Sequence, residues 1–375
     1  MRPALEVPTG EIVVDLGAIR RNFRRLKREL ITGAELAAVV KADAYGLGVE
    51  RVVPVLADEG CCVFFVTTAQ EAVEVRRVSK HSTIYVLNGI TEFQDWKLYS
   101  RDLSIRPILN DLSQVDQWLE KRRAGELAAG IQLDTGMTRY GIAEPQLMPL
   151  KERLEGSVKP SLLMSHLACA EDELHWLNGV QMKRFGQFVD ILGLDQRPSC
   201  VLSLANSSGI FLGEDYHFAL ARAGAALYGI NPQPEKPNRM VGVLNLRAKV
   251  TQVRFVDSPT TVGYGATHQI NARTRVATVP VGYADGFLRA LGGRASAYIG
   301  DTRVPVIGRV SMDAITLDIS RVPETIDVET EPVEIIGPRR PVDVLASEAG
   351  TIGYEILARI SHRIRRVYID EVGGE

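Results

Sequence analysis

Residues 36–48 read LAAVVKADAYGLG. Five apolar residues, Leu36–Val40, stop at Lys41, and a turn of small residues and glycine follows. The run fits a buried strand, and it is the first of eight. The others are Val63–Thr67, Thr83–Leu87, Ile105–Leu109, Gly130–Leu133, Ser161–His166, Cys200–Leu204 and Leu220–Leu227. Helical stretches alternate with them, among them Asp15–Leu30, Ala69–Val78, Asp111–Lys121 and Leu174–Leu192. The first helix has Asp15 as its N-cap and Leu16, Ile19, Phe23 and Leu26 on one face. Eight strand–helix alternations predict an α/β chain that opens with a closed (β/α)8, TIM-like barrel. An open doubly wound sheet is the alternative. Eight is the closing number, however, and no GxGxxG follows the first strand.

The texture changes at Asn231–Asn238, NPQPEKPN, which reads as a linker. Beyond it strands dominate: Asn245–Val256, Thr274–Val279, Ser296–Ile299, Val304–Ile307, Ala314–Ile319 and Val333–Ile336. Gly, Asp and Pro separate them, as in an antiparallel β domain. Helical stretches at Val342–Ala349 and Ile352–Ile360 precede a last strand, Arg366–Ile369. The expected organisation is a barrel over residues 12–238 and a mainly antiparallel β domain over residues 239–375, with residues 1–11 packing against the latter. Glu11–Val14 reads as a strand that could join that domain.

Composition narrows the function classes. The 375 residues suit two or three domains at roughly 150 residues each. With 44 basic and 46 acidic residues the net charge is −2, so neither nucleic acid nor an anionic membrane is called for. No apolar run approaches the roughly 18 residues that cross a bilayer. The start, MRPALEVPTGE, has no apolar signal region. Cys61, Cys62, Cys169 and Cys200 fit no zinc spacing and are too few for a disulfide scaffold. The expectation is a cytoplasmic, soluble, metal-independent protein.

Barrel active sites lie at the C-terminal ends of the strands. Lys41 and Tyr45 follow the first run, Asp134 and Arg139 the fifth, His166 ends the sixth, and Asn206 and Ser207 follow the seventh. Arg222, Gly224 and Ala225 belong to the eighth. A lysine emerging from a buried strand loses pKa and becomes a usable amine. Ser207–Gly209 before an apolar turn is an ordinary N-cap or a phosphate site at a helix N-terminus. Arg222, inside an apolar string, needs buried partners. An amine, a phosphate cradle and a buried cation on one rim point to a phosphorylated aldehyde cofactor, pyridoxal 5'-phosphate.

The motifs then resemble one family throughout. VVKADAYGLG (39–48), LDTGMTRYG (133–141), SHLACAEDE (165–173), LANSSG (204–209) and RAGAALYGINP (222–232) are similar to segments of bacterial alanine racemases. So are VGYGATH (262–268), VPVGYADGF (279–287) and VIGRVSMDAITLD (306–318), in the same order. The resemblance implies an isomerase that interconverts L- and D-alanine, supplying D-alanine for peptidoglycan or for catabolism. It implies a homodimer with two shared sites. Lys41 would carry the cofactor as a Schiff base and act as one base. Tyr264 would be the other, from the second subunit. Tyr45, Ser207 and Tyr354, with the backbone at Gly224 and Ala225, would bind the phosphate. Arg222 would face the pyridine nitrogen with His166 behind it, and Asn206 would help seat the cofactor. Arg139, Met312 and Asp313 would contact substrate, the last two from the partner. Arg222 and His166 would together supply the positive charge that a phenolic base needs.

Tyr264 and Tyr354 would crowd the α-carbon, so alanine is favoured and a broader serine/alanine racemase is the alternative. Tyr283, Arg289, Arg309, Glu171, Ile352 and Cys169 match positions along the access corridor. One departure stands out. Some members place a carbamylated lysine seven residues before the arginine of DTGMxR, where this chain has Gln132. Arg139 would then be oriented by the Gln132 oxygen or by a small anion. A related basic amino-acid decarboxylase would need an acidic group at the pyridine nitrogen, against the RAG of 222–224. A non-catalytic carrier of the same cofactor would resemble the barrel alone.

Overall fold

The structure is a computed structural model that describes residues 10–92, 94–121, 128–155, 160–194, 200–257 and 259–370. Two compact units emerge: one joins the chain up to Ala18 with the chain from Gly242 onward, and the other is Ile19–Val241. β1 (Gly10–Asp15) opens the first, and helix α1 (Leu16–Glu29) follows. Asp15 Oδ1 accepts the Ala18 amide at 2.8 Å, the capping bond expected at this helix start. Leu16, Ile19, Phe23 and Leu26 are buried.

The middle unit is the barrel. Its strands are β2 (Glu35–Val39), β3 (Val63–Val66), β4 (Thr83–Val86), β5 (Ile105–Leu109), β6 (Gly130–Gln132), β7 (Leu162–Met164), β8 (Val201–Ser203) and β9 (Leu220–Ala223). All laddered neighbours are parallel, in the order β8-β7-β6-β5-β4-β3-β2-β9. The ends meet through the Ala219 amide on Leu202 O (3.1 Å) and the Arg222 amide on Ala205 O (2.9 Å), so the sheet closes. Ala37, Phe65, Tyr85, Ile108, Leu162, Met164 and Leu220 fill the interior. Several strands are shorter than the apolar runs in the sequence. Ser161–His166 contracts to Leu162–Met164, and Leu220–Leu227 ends at Ala223. There Gly224, at φ −127° and ψ −93°, starts a 3₁₀ turn over Ala225–Tyr228. Apolar character persists past β9 because this turn is itself largely buried.

The other unit contains β1, β10 (Leu244–Ala248), β11 (Gln252–Val256), β12 (Thr260–Val262), β13 (His268–Ile270), β14 (Thr274–Val279), β15 (Ser296–Ile299), β16 (Thr302–Ile307), β17 (Ile315–Asp318), β18 (Val333–Ile336) and β19 (Arg365–Ile369). Nine form one sheet, β11-β14-β17-β16-β15-β18-β10-β1-β19, antiparallel except for the β1–β19 pair. Of the N-terminal residues expected here, 1–9 lie outside the described residues, while Gly10 and Glu11 start β1 and pair with β10. The run Asn245–Val256 is two strands rather than one. β10 pairs with β1 and β18, whereas β11 pairs with β14 at the far edge, and one straight strand cannot serve both ends. The β12–β13 hairpin was not foreseen; it is only three residues a side. Among the described residues no helix is long and apolar enough to cross a membrane, and no cluster of His, Cys, Asp and Glu could hold a metal.

Candidate active site

Lys41 leaves the C-terminal end of β2, where the Val40 amide bonds Phe65 O on the neighbouring strand at 2.9 Å. The next four residues, Ala42–Tyr45, have φ between 52° and 57°, a left-handed helical turn. Each such residue costs about 1–2 kcal/mol, so surrounding contacts must impose the conformation. The Ala44 amide bonds Val40 O (3.0 Å), Gly48 bonds Asp43 O (3.0 Å), and Val49 bonds Asp43 Oδ1 (2.7 Å). The Ala42 amide reaches Glu71 Oε1 at 2.7 Å. The turn brings Tyr45 against Tyr228, ring centroids 4.7 Å apart, and the Tyr228 hydroxyl donates to Val39 O (3.0 Å). Burial and the nearby Arg139 hold the Lys41 amine below its usual range, and Glu71 opposes them.

Arg222 lies one residue before the end of β9 and is 4% exposed. Its Nη1 donates to Ser203 Oγ at 2.5 Å, and Nη2 donates to Ser165 O at 2.6 Å and Leu204 O at 3.3 Å. Burial brings its pKa down to about 9, which leaves it cationic at neutral pH. Nη2 also lies 3.4 Å from His166 Nδ1. A guanidinium can only donate, so Nδ1 accepts and the imidazole is neutral with its proton on Nε2. Burial first, then Arg222, Arg139 and Lys41, push the His166 pKa down to about 3. This corrects one expectation: of the Arg222–His166 pair, only Arg222 carries a positive charge.

Beside this pair, Ser207 Oγ accepts the amides of Gly224 (2.9 Å) and Ala226 (3.2 Å). Both lone pairs are occupied, so its hydroxyl proton is available to a further acceptor. A Cβ on Gly224 would lie 2.6 Å from Tyr45 Oη, so a side chain there would occupy the space at that hydroxyl. Asn206 Oδ1 caps the Gly209 amide at 2.8 Å. The turn it caps, Gly209–Phe211, is a 3₁₀ turn of three residues. A turn this short has no appreciable macrodipole, so it is not by itself a helix N-terminal anion site.

Arg139 sits on a loop closed by the Leu133–Ile142 bridge and by Asp134 N on Ile142 O at 3.0 Å. Asp134 Oδ1 accepts the amides of Gly136 (2.9 Å), Met137 (3.0 Å) and Thr138 (3.1 Å), which shapes the loop from within. Buried Gln132 does not bond the guanidinium. Its Nε2 donates to Tyr140 O at 3.3 Å, so it fixes the main chain just after Arg139. The expectation that its oxygen orients Arg139 directly is corrected: no hydrogen bond joins the two side chains, and the one that places Gln132 runs from its Nε2 to the Tyr140 carbonyl.

In the other unit, Tyr264 stands at the hairpin tip between Gly263 (φ 74°) and Gly265 (φ 72°) and is 70% exposed. It lines a cavity of about 460 Å³ with Tyr283, Arg289, Arg309, Met312 and Asp313. The Ala284 amide bonds Met312 O (2.9 Å), and Arg363 bridges Asp285 (3.0 Å) and Asp313 (2.8 Å), fixing the walls. Tyr354 is on the helix Gly353–Ala358, outside the cavity lining.

The family model for the alanine racemase N-terminal domain matches residues 14–232, and that for the C-terminal domain matches residues 243–368. The chain belongs to the alanine racemase family. It is 42% identical over 365 residues to an alanine racemase of Rhodospirillum rubrum, covering 96% of each chain. It is 41% identical to a catabolic alanine racemase of Agrobacterium fabrum, over 96% of this chain and 92% of that one. Among solved structures, alanine racemase from Bartonella henselae with covalently bound pyridoxal phosphate superposes with a TM-score of 0.89 at 34% identity, covering 97% and 100% of the two chains.

Within this alanine racemase family chain, the barrel carries Lys41, Tyr45, Arg139, His166, Asn206, Ser207, Arg222, Gly224 and Ala225 on strand ends or the loops beyond them. Tyr264, Met312 and Asp313 meet in the β unit. Glu71, Ser165, Ser203 and Tyr228 hold the rim residues and were missed. Only Glu71 had a readable signal, the T-x-x-E spacing of a capping box at Thr68.

Proposed function

We propose that the protein racemises alanine with pyridoxal 5'-phosphate, as a homodimer in which each site draws residues from both chains. The observation that carries this is the Lys41 amine, held below its ordinary pKa on the rim that bears the Tyr45 and Ser207 hydroxyls. The donor set fits the cofactor. Lys41 would hold it covalently, Tyr45 and Ser207 would donate to its phosphate with the backbone at Gly224 and Ala225, and Asn206 and Tyr354 would complete the seat. Arg222 would stand at the ring nitrogen as a permanent cation, which disfavours protonation there and restrains side reactions. When bound, the cofactor supplies an electron sink that acidifies the substrate Cα–H.

Two groups on opposite faces then move the proton. Lys41 Nζ, whose pKa is held below the ordinary lysine range by burial and by Arg139, takes or returns it on one face. Tyr264 Oη, from the partner chain, does so on the other, with the Arg222 charge lowering the cost of the phenolate. Arg139 and the Met312–Asp313 turn would orient the substrate carboxylate. Crowding by Tyr264 and Tyr354 favours alanine.

The test is racemisation of each L-amino acid, followed by circular dichroism with and without cofactor, together with borohydride reduction and peptide mapping. Cofactor-dependent turnover of L-alanine and a reduced adduct on the Lys41 peptide are expected. Faster turnover of serine would replace alanine as the preferred substrate. Labelling of a different lysine would remove the assignment of Lys41.

A further inference from the structure

We propose that Glu71 is a positioning residue for the cofactor-anchoring lysine, clamping the main chain at Ala42 so that the left-handed turn sets Lys41 and Tyr45 on the rim. The proposal rests on the reading of Lys41 as the anchor. The carboxylate divides its oxygens between two tasks. Oε2 accepts the Thr67 amide at 2.7 Å and the Thr68 amide at 3.2 Å, while Thr68 Oγ1 accepts the Glu71 amide at 3.2 Å. That is a capping box on the helix Ala69–Val78, and one oxygen suffices for it. Oε1 instead leaves its own loop and takes the Ala42 amide at 2.7 Å.

Ala42 is the first of four residues at positive φ and directly follows Lys41. None of the four is glycine, so the conformation depends on ties of this kind. Glu71 ties the loop after β2 to the loop after β3. Backbone N–H groups bonded to a carboxylate make charge-assisted bonds, stronger than neutral ones. The same carboxylate acts on the amine through space. Glu71, Arg139 and His166 face Lys41; Glu71 favours the ammonium form and Arg139 disfavours it. Removing the carboxylate charge therefore lowers the pH at which the amine titrates.

The experiment compares wild type, Glu71→Gln and Thr68→Ala as full-length chains. Competitive acetic anhydride labelling of Lys41 across pH, read by peptide mass spectrometry on cofactor-free protein, gives the titration midpoint. Equilibrium dialysis gives the affinity for pyridoxal phosphate. Glu71→Gln is expected to move the midpoint to lower pH and to weaken cofactor binding by about tenfold, the effect of one charge-assisted bond. Thr68→Ala removes only the capping half, so it should lower Tm and leave both readouts within about twofold. Either readout unchanged in Glu71→Gln overturns the proposal. So does a Thr68→Ala protein that reproduces both changes, since Glu71 would then be a helix cap alone. Should Glu71→Gln not fold, Glu71→Asp keeps the charge but shortens the reach; undiminished cofactor affinity in it overturns the proposal. Borohydride labelling of wild type separates the two readings. An unlabelled Lys41 defeats the anchor assignment, whereas a labelled Lys41 with indifferent Glu71 variants defeats only the clamp.

Discussion

His166 and Arg222 show how a single geometry decides a protonation state. Because the guanidinium can only donate, the facing imidazole nitrogen must accept, and the ring stays neutral. The consequence is a pH dependence of stability with a definite sign. Folding lowers the His166 pKa from 6.5 to about 3, so between these values the unfolded chain binds a proton that the folded chain refuses. Stability therefore rises with pH across that window; it is complete above about pH 6.5 and is lost progressively as pH falls toward 3. Urea midpoints of the cofactor-free chain from pH 7 to pH 4 should fall more steeply in wild type than in His166→Asn. Parallel slopes would show that the histidine is not held neutral. In sequence His166 was visible as a strand-end residue. Its charge was not, because that depends on Arg222, 56 positions away.

At the scale of elements, the site forms where loops from distant strands press together. The turn after β2 delivers Tyr45 Oη to within 2.6 Å of where a Gly224 Cβ would be, and Gly224 begins the turn after β9. The glycine is there for close approach rather than for a positive φ. Gly224→Ala should therefore destabilise by about 1–3 kcal/mol through overpacking, and should weaken cofactor retention by displacing Tyr45. Tyr45→Phe removes the clashing oxygen, so the double variant should be more stable than Gly224→Ala alone, a non-additivity typical of residues in contact. Thermal melts of the three variants and wild type check this, and strictly additive losses would separate the two positions. Strand existence and order were legible from the apolar runs. Strand ends were not, since the buried turn after β9, Ala225–Tyr228, is as apolar as the strand itself.

At the scale of the whole molecule, the proposed sharing of sites makes a prediction that no single variant tests. Lys41 belongs to the barrel unit and Tyr264 to the β unit. If each site takes one from either chain, Lys41→Ala and Tyr264→Ala are both inactive, yet a mixed dimer has one site with both lesions and one intact. Random exchange of subunits makes half the dimers mixed, so about a quarter of wild-type activity should return. Verified exchange with no recovery would assign both residues to one chain.

By itself the sequence determined the eight-stranded barrel, the change to a β-rich region after the proline-rich segment, and the residues that stand at the strand ends. All three are written in local patterns: apolar runs of strand length, helical periodicity, and the residue type that ends each run. Tertiary structure alone decided the left-handed turn after Lys41, the neutral state of His166, the diversion of Gln132 to the Tyr140 carbonyl and the second task of Glu71. Each is set by hydrogen bonds that depend on how loops fold and meet in space. Backbone hand, tautomer and charge there depend on which donors and acceptors meet, and a linear pattern of residue types does not encode that.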